Sequence, residues 1–214
     1  MENRNTVALI GSRGKVGRFI MDTLLEKGYK VRALIRNTKN LTISDERVEI
    51  IKGDVRDAAT VKQLIKGCRA VINTVGMSGD PKPHFAEITK MILGNLGEAK
   101  IDRYITVSKA SLVVPGDQKN FMGSIVSFIR TLGSSKLLMD KQEELKVLQS
   151  SKFAWTLVRL PMVQNSSKAN TNKAIKVNET SLPSNRIGNK EVAAFLVEQI
   201  TDPRFINKAP FISN

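Results

Sequence analysis

Seven residues near the start of the chain, Gly11-Ser12-Arg13-Gly14-Lys15-Val16-Gly17, combine the types and the spacing that bind phosphate. They follow the apolar run Val7-Ala8-Leu9-Ile10 and open a stretch in which Phe19, Ile20 and Leu24 recur at helical spacing. Gly11 permits a tight turn, Gly14 lets backbone approach a pyrophosphate, and Gly17 lets the helix lie close on the strand. Free N–H groups at a helix start attract negative charge. The spacing is G-x-x-G-x-x-G, not the G-x-G-x-x-G of many Rossmann dehydrogenases, and a glycine turn without a ligand is the alternative.

The next apolar run ends at Arg36 and is followed by Asn37-Thr38-Lys39-Asn40, where an NAD-binding chain commonly carries an acidic residue for the ribose 2′-hydroxyl. Arg36 cannot accept that hydrogen bond. It can donate to a 2′-phosphate, with Arg13 and Lys39 adding charge, so the expected cofactor is NADP(H). The plainer alternative is a solvated arginine at a strand end.

Rare residue types remove other chemistries. One cysteine (Cys68), one histidine (His84) and two tyrosines (Tyr29, Tyr104) leave no disulfide framework and no zinc ligand set, and His84 is the sole histidine a Ser-His-Asp triad could use. No metal is expected. His84 follows Pro81 and Pro83, which places it on a solvated loop, and Cys68 ends a helical stretch as a buried, inert thiol. The net charge of +14 favours anionic ligands, yet no two basic residues are adjacent, and aromatics are too few for a base-stacking platform. A specific nucleic-acid partner is therefore not expected. No apolar run approaches the roughly 18 residues of a membrane span, and Met1-Glu2-Asn3-Arg4 lacks an apolar signal region, so a cytoplasmic location is expected.

To position the glycine turn the chain needs a sheet, and its pattern supplies one. Short β-branched runs alternate with helical stretches, the pattern of a parallel sheet. Strands are expected at Thr6 to Ile10, Lys30 to Arg36, Val48 to Gly53, Ala70 to Val75, Arg103 to Val107 and Trp155 to Leu160, with a short last strand near Phe211. Helices are expected at Val16 to Glu26, Ala59 to Lys66, Phe85 to Ala99, Lys136 to Gln149 and Lys190 to Ile200. The fold class is α/β: a Rossmann-type, doubly wound, mostly parallel sheet with helices on both faces, in a single domain spanning residues 1–214. Residues 111–124 and 164–187, rich in Gly, Ser, Asn and Pro, follow strands at the carboxyl edge and are candidate substrate loops or plain surface loops.

Taken together, the glycine turn, Gly53-Asp54-Val55-Arg56-Asp57, Val71-Ile72-Asn73-Thr74-Val75-Gly76, Val107-Ser108 and Trp155-Thr156-Leu157-Val158-Arg159-Leu160-Pro161 resemble a known family over nearly the whole length. It is the atypical short-chain dehydrogenase/reductases of the NAD(P)H-binding, NmrA-like group, near the biliverdin-IXβ (flavin) reductases. The resemblance implies a cofactor site of Gly11, Ser12, Arg13, Gly14, Lys15, Val16 and Arg36, with Asp54 and Val55 at the adenine. Thr74, Val75 and Gly76 would line the ribose and the path to the nicotinamide, with Ser108 and Pro161 beyond.

The superfamily's Tyr-x-x-x-Lys pair is incomplete. Counting back from Ser150-Ser151 sets Lys141 at the lysine position and Leu137 at the tyrosine position. Ser108 is a candidate ligand of the nicotinamide carboxamide or substrate carbonyl, or a strand-end cap; Lys141 is a candidate ribose ligand or a solvated helix residue. Met162 stands where the flavin reductases suggest a histidine. The resemblance implies an NADPH-dependent reductase that delivers hydride to a planar, electron-poor flavin, quinone or tetrapyrrole, and with Leu137 and Met162 at those two positions water is the expected proton source. The alternative is an NADP(H)-sensing protein with little or no catalysis. The expected partner is a small anionic or planar aromatic substrate, with no membrane, and the protein is read as a monomer or homodimer.

Overall fold

Val7, Ala8, Leu9 and Ile10 are all nearly or wholly inaccessible, as expected of a strand covered on both faces of a parallel sheet. The computed structural model describes residues 5–39, 43–75, 84–118, 136–165 and 174–214. In chain order the elements are β1 (Thr6–Ile10), α1 (Gly17–Glu26), β2 (Lys30–Ile35), β3 (Val48–Lys52), α2 (Ala58–Ile65), β4 (Ala70–Asn73), α3 (Phe85–Glu98) and β5 (Arg103–Lys109). They continue with α4 (Lys136–Gln149), β6 (Ala154–Leu160), β7 (Met162–Gln164), β8 (Lys176–Asn178), β9 (Arg186–Gly188), α5 (Asn189–Glu198) and β10 (Phe211–Ser213).

Among the described residues one sheet runs in the order β3-β2-β1-β4-β5-β6-β10-β8, and a second pairs β7 with β9. Every pairing is parallel except β10 with β8. This is the doubly wound α/β sheet expected from the sequence. The chain runs outward from β1 to β3, returns to β4 beside β1, and then runs outward the other way. The reversal creates a crevice at the carboxyl ends of β1 and β4, where such folds bind ligands.

Alternation along the strands divides the core. Val7 and Leu9 face Ile20 and Leu24 of α1 and Val192 and Leu196 of α5. Ala8 and Ile10 face α2, α3 and α4 through Leu64, Ile92 and Leu148. Each helix therefore buries the apolar stripe that its spacing predicted. Asp57 caps α2, accepting the N–H groups of Ala59 and Thr60, both at 3.2 Å. Cys68 is fully buried, its thiol 3.4 Å from the Leu64 carbonyl.

The structure adds β7, β8 and β9 within a stretch expected to be largely irregular. Each is three residues long, too short to display a period, and β8 is exposed along its length. Of the two candidate substrate loops, residues 119–124 and 166–173 lie outside the described residues. Among the described residues no helix is long and apolar enough to cross a membrane, and no cluster of three His, Cys, Asp or Glu is placed to hold a metal ion.

Candidate functional site

Register gathers the motifs. Ile10 pairs with Leu34 of β2 and with Asn73 of β4, so the glycine turn, Arg36 and Thr74 leave the sheet side by side. Gly11 adopts φ +88°, and a Cβ there would lie 2.7 Å from Thr74 Oγ1. Thr74 is anchored in turn, donating its backbone N–H and its hydroxyl to the Ile10 carbonyl at 2.9 and 3.1 Å. A Cβ on Gly17 would overlap the Gly11 carbonyl oxygen. Two of the three motif glycines are therefore demanded by backbone packing.

The turn opens onto a cleft of about 640 Å³. The Val16 side chain does not cap α1, and the glycine turn that opens this helix lines the cleft, where the positive end of the helix favours an anion. Ser12 is 3% exposed and its hydroxyl has no hydrogen-bond partner. An orphaned hydroxyl inside a glycine turn at an uncapped helix start is what a bound pyrophosphate would satisfy. The residues present fit a dinucleotide.

Around the turn the charge is concentrated. Arg13, Lys15, Arg36 and Arg56 line this half of the cleft with Asp54 as their one carboxylate. Arg13 donates to the Asn37 carbonyl at 2.5 Å, which ties the turn to the end of β2. Arg56 grips Asp54 through Nε at 3.0 Å and Nη2 at 2.9 Å, while Arg36 Nη1 stands 4.0 Å away. The Arg56 guanidinium holds the Asp54 carboxyl down to about 2, with a smaller contribution from Arg36.

Beyond β4 the wall changes character. Phe85, Ile88, Val107, Leu137, Leu160 and Val163 line this half, and Leu137 is the residue at the tyrosine position. Met162 beside them is 68% exposed. His84 lies in the same wall. His84 lies outside the helix, as expected, being the residue just before α3, and its side chain is 33% exposed.

A profile of the NAD(P)H-binding family matches residues 11–203. The chain belongs to that family. This NAD(P)H-binding protein is 23% identical over 219 residues to the "Probable pinoresinol-lariciresinol reductase 3" of Arabidopsis thaliana, covering 99% of this chain and 68% of that one. It is 29% identical over 120 residues to cinnamoyl-CoA reductase 1 of the same plant, covering 50% of this chain and 35% of the reductase. The matched part thus spans about a third of that relative's length. Among solved structures, a short-chain dehydrogenase/reductase of Veillonella parvula in complex with NADP superposes with a TM-score of 0.78 at 18% identity, covering 98% of this chain and 94% of the other. An anaerobillin reductase of Escherichia coli superposes with a TM-score of 0.73 at 18% identity, covering 97% and 96%. The fold of the NAD(P)H-binding protein is that of the short-chain dehydrogenases/reductases.

Gly11, Ser12, Arg13, Gly14, Lys15, Val16, Arg36, Asp54, Val55, Thr74 and Val75 of the NAD(P)H-binding protein all line the one cleft. Gly76 lies outside the described residues. Ser108, Lys141 and Pro161 are not among the lining residues; each stands beside or behind one that is. Lys141 is 6% exposed, with its ammonium 2.6 Å from Glu144, 3.0 Å from the Val107 carbonyl and 4.0 Å from the centre of the Phe85 ring. Glu144 in turn accepts from Thr89 at 2.9 Å, Thr89 meets the Tyr104 hydroxyl at 3.1 Å, and Asn73 donates to that hydroxyl at 2.9 Å. Burial, reinforced by the Glu144 charge, pushes the Tyr104 phenol well above its ordinary range. Tyr104 is a structural hydroxyl of the α3–α4 contact and holds its proton.

The sequence assigned no roles to Arg56, Phe85, Ile88 and Val163. Arg56 carried a signal, a second cation two residues past Asp54 in the same turn. Phe85 and Ile88 fell within an expected helix, and Val163 lay between an expected strand and a candidate loop.

Proposed function

We propose that the protein is an NADPH-dependent reductase of planar, electron-poor acceptors, of the flavin, quinone or tetrapyrrole class. The observation that carries this is the division of one cleft into a cationic half and an apolar half on the two sides of the sheet reversal. The cationic half suits the phosphates of a dinucleotide, with Arg13, Arg36 and Arg56 around a 2′-phosphate and Ser12 on the pyrophosphate. The apolar half, walled by Phe85, Leu137 and Leu160, suits a flat aromatic acceptor and excludes water. NADPH, when bound, supplies a hydride equivalent. The chain's own contribution is to orient and desolvate, with Lys141 holding Phe85 and Val107 in place from behind. The described parts of 111–118 and 174–187 are proposed to flank the acceptor. Purified protein screened against flavins, quinones and tetrapyrroles is expected to oxidise NADPH with at least one class; no oxidation with any of them removes the proposal.

An NADP(H) sensor is the second reading, favoured by the engagement of Lys141 with Glu144, Val107 and Phe85. Sustained turnover of NADPH eliminates it.

Cofactor choice gives a separate expectation. A charge-assisted hydrogen bond is worth roughly 1.5 to 3 kcal/mol, about ten- to hundredfold in affinity. NADP+ is therefore expected to bind about ten- to hundredfold more tightly than NAD+, and Arg36→Ala to remove most of that preference. Calorimetric titration of both cofactors checks this. Equal affinities in the parent protein would refute it.

A further inference from the structure

The single histidine of the chain stands in the substrate half of the cleft, and its position is hard to explain structurally. Although His84 precedes α3, its side chain does not cap the helix. Asp140 of α4 does that work, accepting the Phe85 N–H at 2.6 Å. The imidazole instead meets Glu87, one helical turn on, with Nδ1 2.9 Å from Oε2. A carboxylate at Nδ1 fixes the ring so that Nε2 is the nitrogen left for another partner. Exposed pairs of this kind add little stability, so the pair is better explained by what Nε2 can do.

We propose that His84, oriented by Glu87, donates from Nε2 the proton that completes reduction of the acceptor; this rests on the reductase function proposed above. The acceptor gains a hydrogen and two electrons from the nicotinamide carbon, and its heteroatom takes the Nε2 proton. NADPH, one proton and the acceptor thus give NADP+ and the dihydro product, and the ring is recharged from solvent, to which it is one-third exposed. The other charged groups near α3 have different tasks. Asp140 caps Phe85, Lys141 is paired with Glu144, and Lys62 of α2 pairs with Glu98 at the far end of the helix. Arg13, Lys15, Arg36, Asp54 and Arg56 belong to the cationic half.

The proton-donating form is the imidazolium, so the rate is expected to fall as rising pH removes that proton from the ring. Riboflavin serves as acceptor because it lacks a phosphate that could engage the arginines. His84→Gln is expected to lower kcat by about 10²-fold, at the modest end of general acid catalysis, and to flatten the pH profile. NADP+ affinity should be unchanged, which also shows that the variant is folded. Glu87→Gln should give a smaller loss of kcat, and free imidazole should partly rescue His84→Gly. Because there is one histidine, its ring proton resonances are unambiguous, and riboflavin is expected to shift them in the NADP+ complex. A variant His84→Gln with undiminished rate and an unchanged profile, or resonances indifferent to riboflavin, would overturn the proton donor while leaving the reductase standing. Failure of the parent protein to oxidise NADPH with every acceptor class would overturn both.

Discussion

Arg159→Met is expected to lower the free energy of unfolding by about 3–5 kcal/mol, measured by urea denaturation, because it strands a carboxylate in the interior. Arg159 and Asp117 are 0% and 1% exposed at their side chains and 2.6 Å apart. The guanidinium also donates to the carbonyls of Ala209 at 2.7 Å, Leu112 at 3.2 Å and Glu179 at 2.8 Å, and lies 3.5 Å from the centre of the Phe211 ring. Methionine fills much of the space and supplies none of those donors. Asp117 would then retain the Val114 N–H, at 2.9 Å, as its hydrogen bond. The loss is a large share of the roughly 5–15 kcal/mol that stabilises a typical domain. Asp117→Asn should cost less, since the guanidinium keeps three carbonyl acceptors. A loss under 1 kcal/mol for Arg159→Met would show that the ion is not the anchor the geometry describes.

Gly14→Val is expected to reduce NADP+ affinity more than a hundredfold with little change in circular dichroism. A Cβ at Gly14 meets one protein atom, the Gly11 carbonyl oxygen at 3.1 Å, and a shift of a few tenths of an ångström accommodates it. The branched carbons then occupy the space a pyrophosphate needs beside Ser12. Gly17→Ala provides the contrast, because its Cβ overlaps the Gly11 carbonyl oxygen and approaches Ser12 Cα to 2.8 Å. That variant should lose thermal stability and cofactor binding together. If Gly14→Val binds NADP+ normally, the glycine turn is not the phosphate site.

What the sequence made legible follows from the range of the forces involved. The β-branched runs and the apolar spacing of the helices are local, and the strand and helix bounds they predict agree with the structure to within a residue or two in nearly every case. The glycine turn was equally plain, because close backbone approach admits no other residue at Gly11 or Gly17. Burial of charge was not legible. Lys141 and Glu144 sit three apart on a helix, the spacing of an exposed ion pair, and only the packing of α4 on α3 turns them inward. Two nearby prolines suggested a solvated loop, and His84 does lie outside the helix; what the sequence did not reveal is that it borders the cleft. Arg159 was visible as part of a family-like motif, with nothing to show that its partners would come from residues 112, 117, 179 and 209.

The arrangement around Arg159 also sets an order of events during synthesis. β6 leaves the ribosome some fifty residues before Ala209, whose carbonyl the guanidinium needs, and before Phe211, whose ring it lies against. Until those residues emerge, the strand at the end of the growing sheet carries an incompletely satisfied cation where its neighbour β10 will later pair. The nascent chain should therefore hold this edge open and hydrated, and lock only when β10 slides in between β6 and β8, making closure of this side of the sheet a late event.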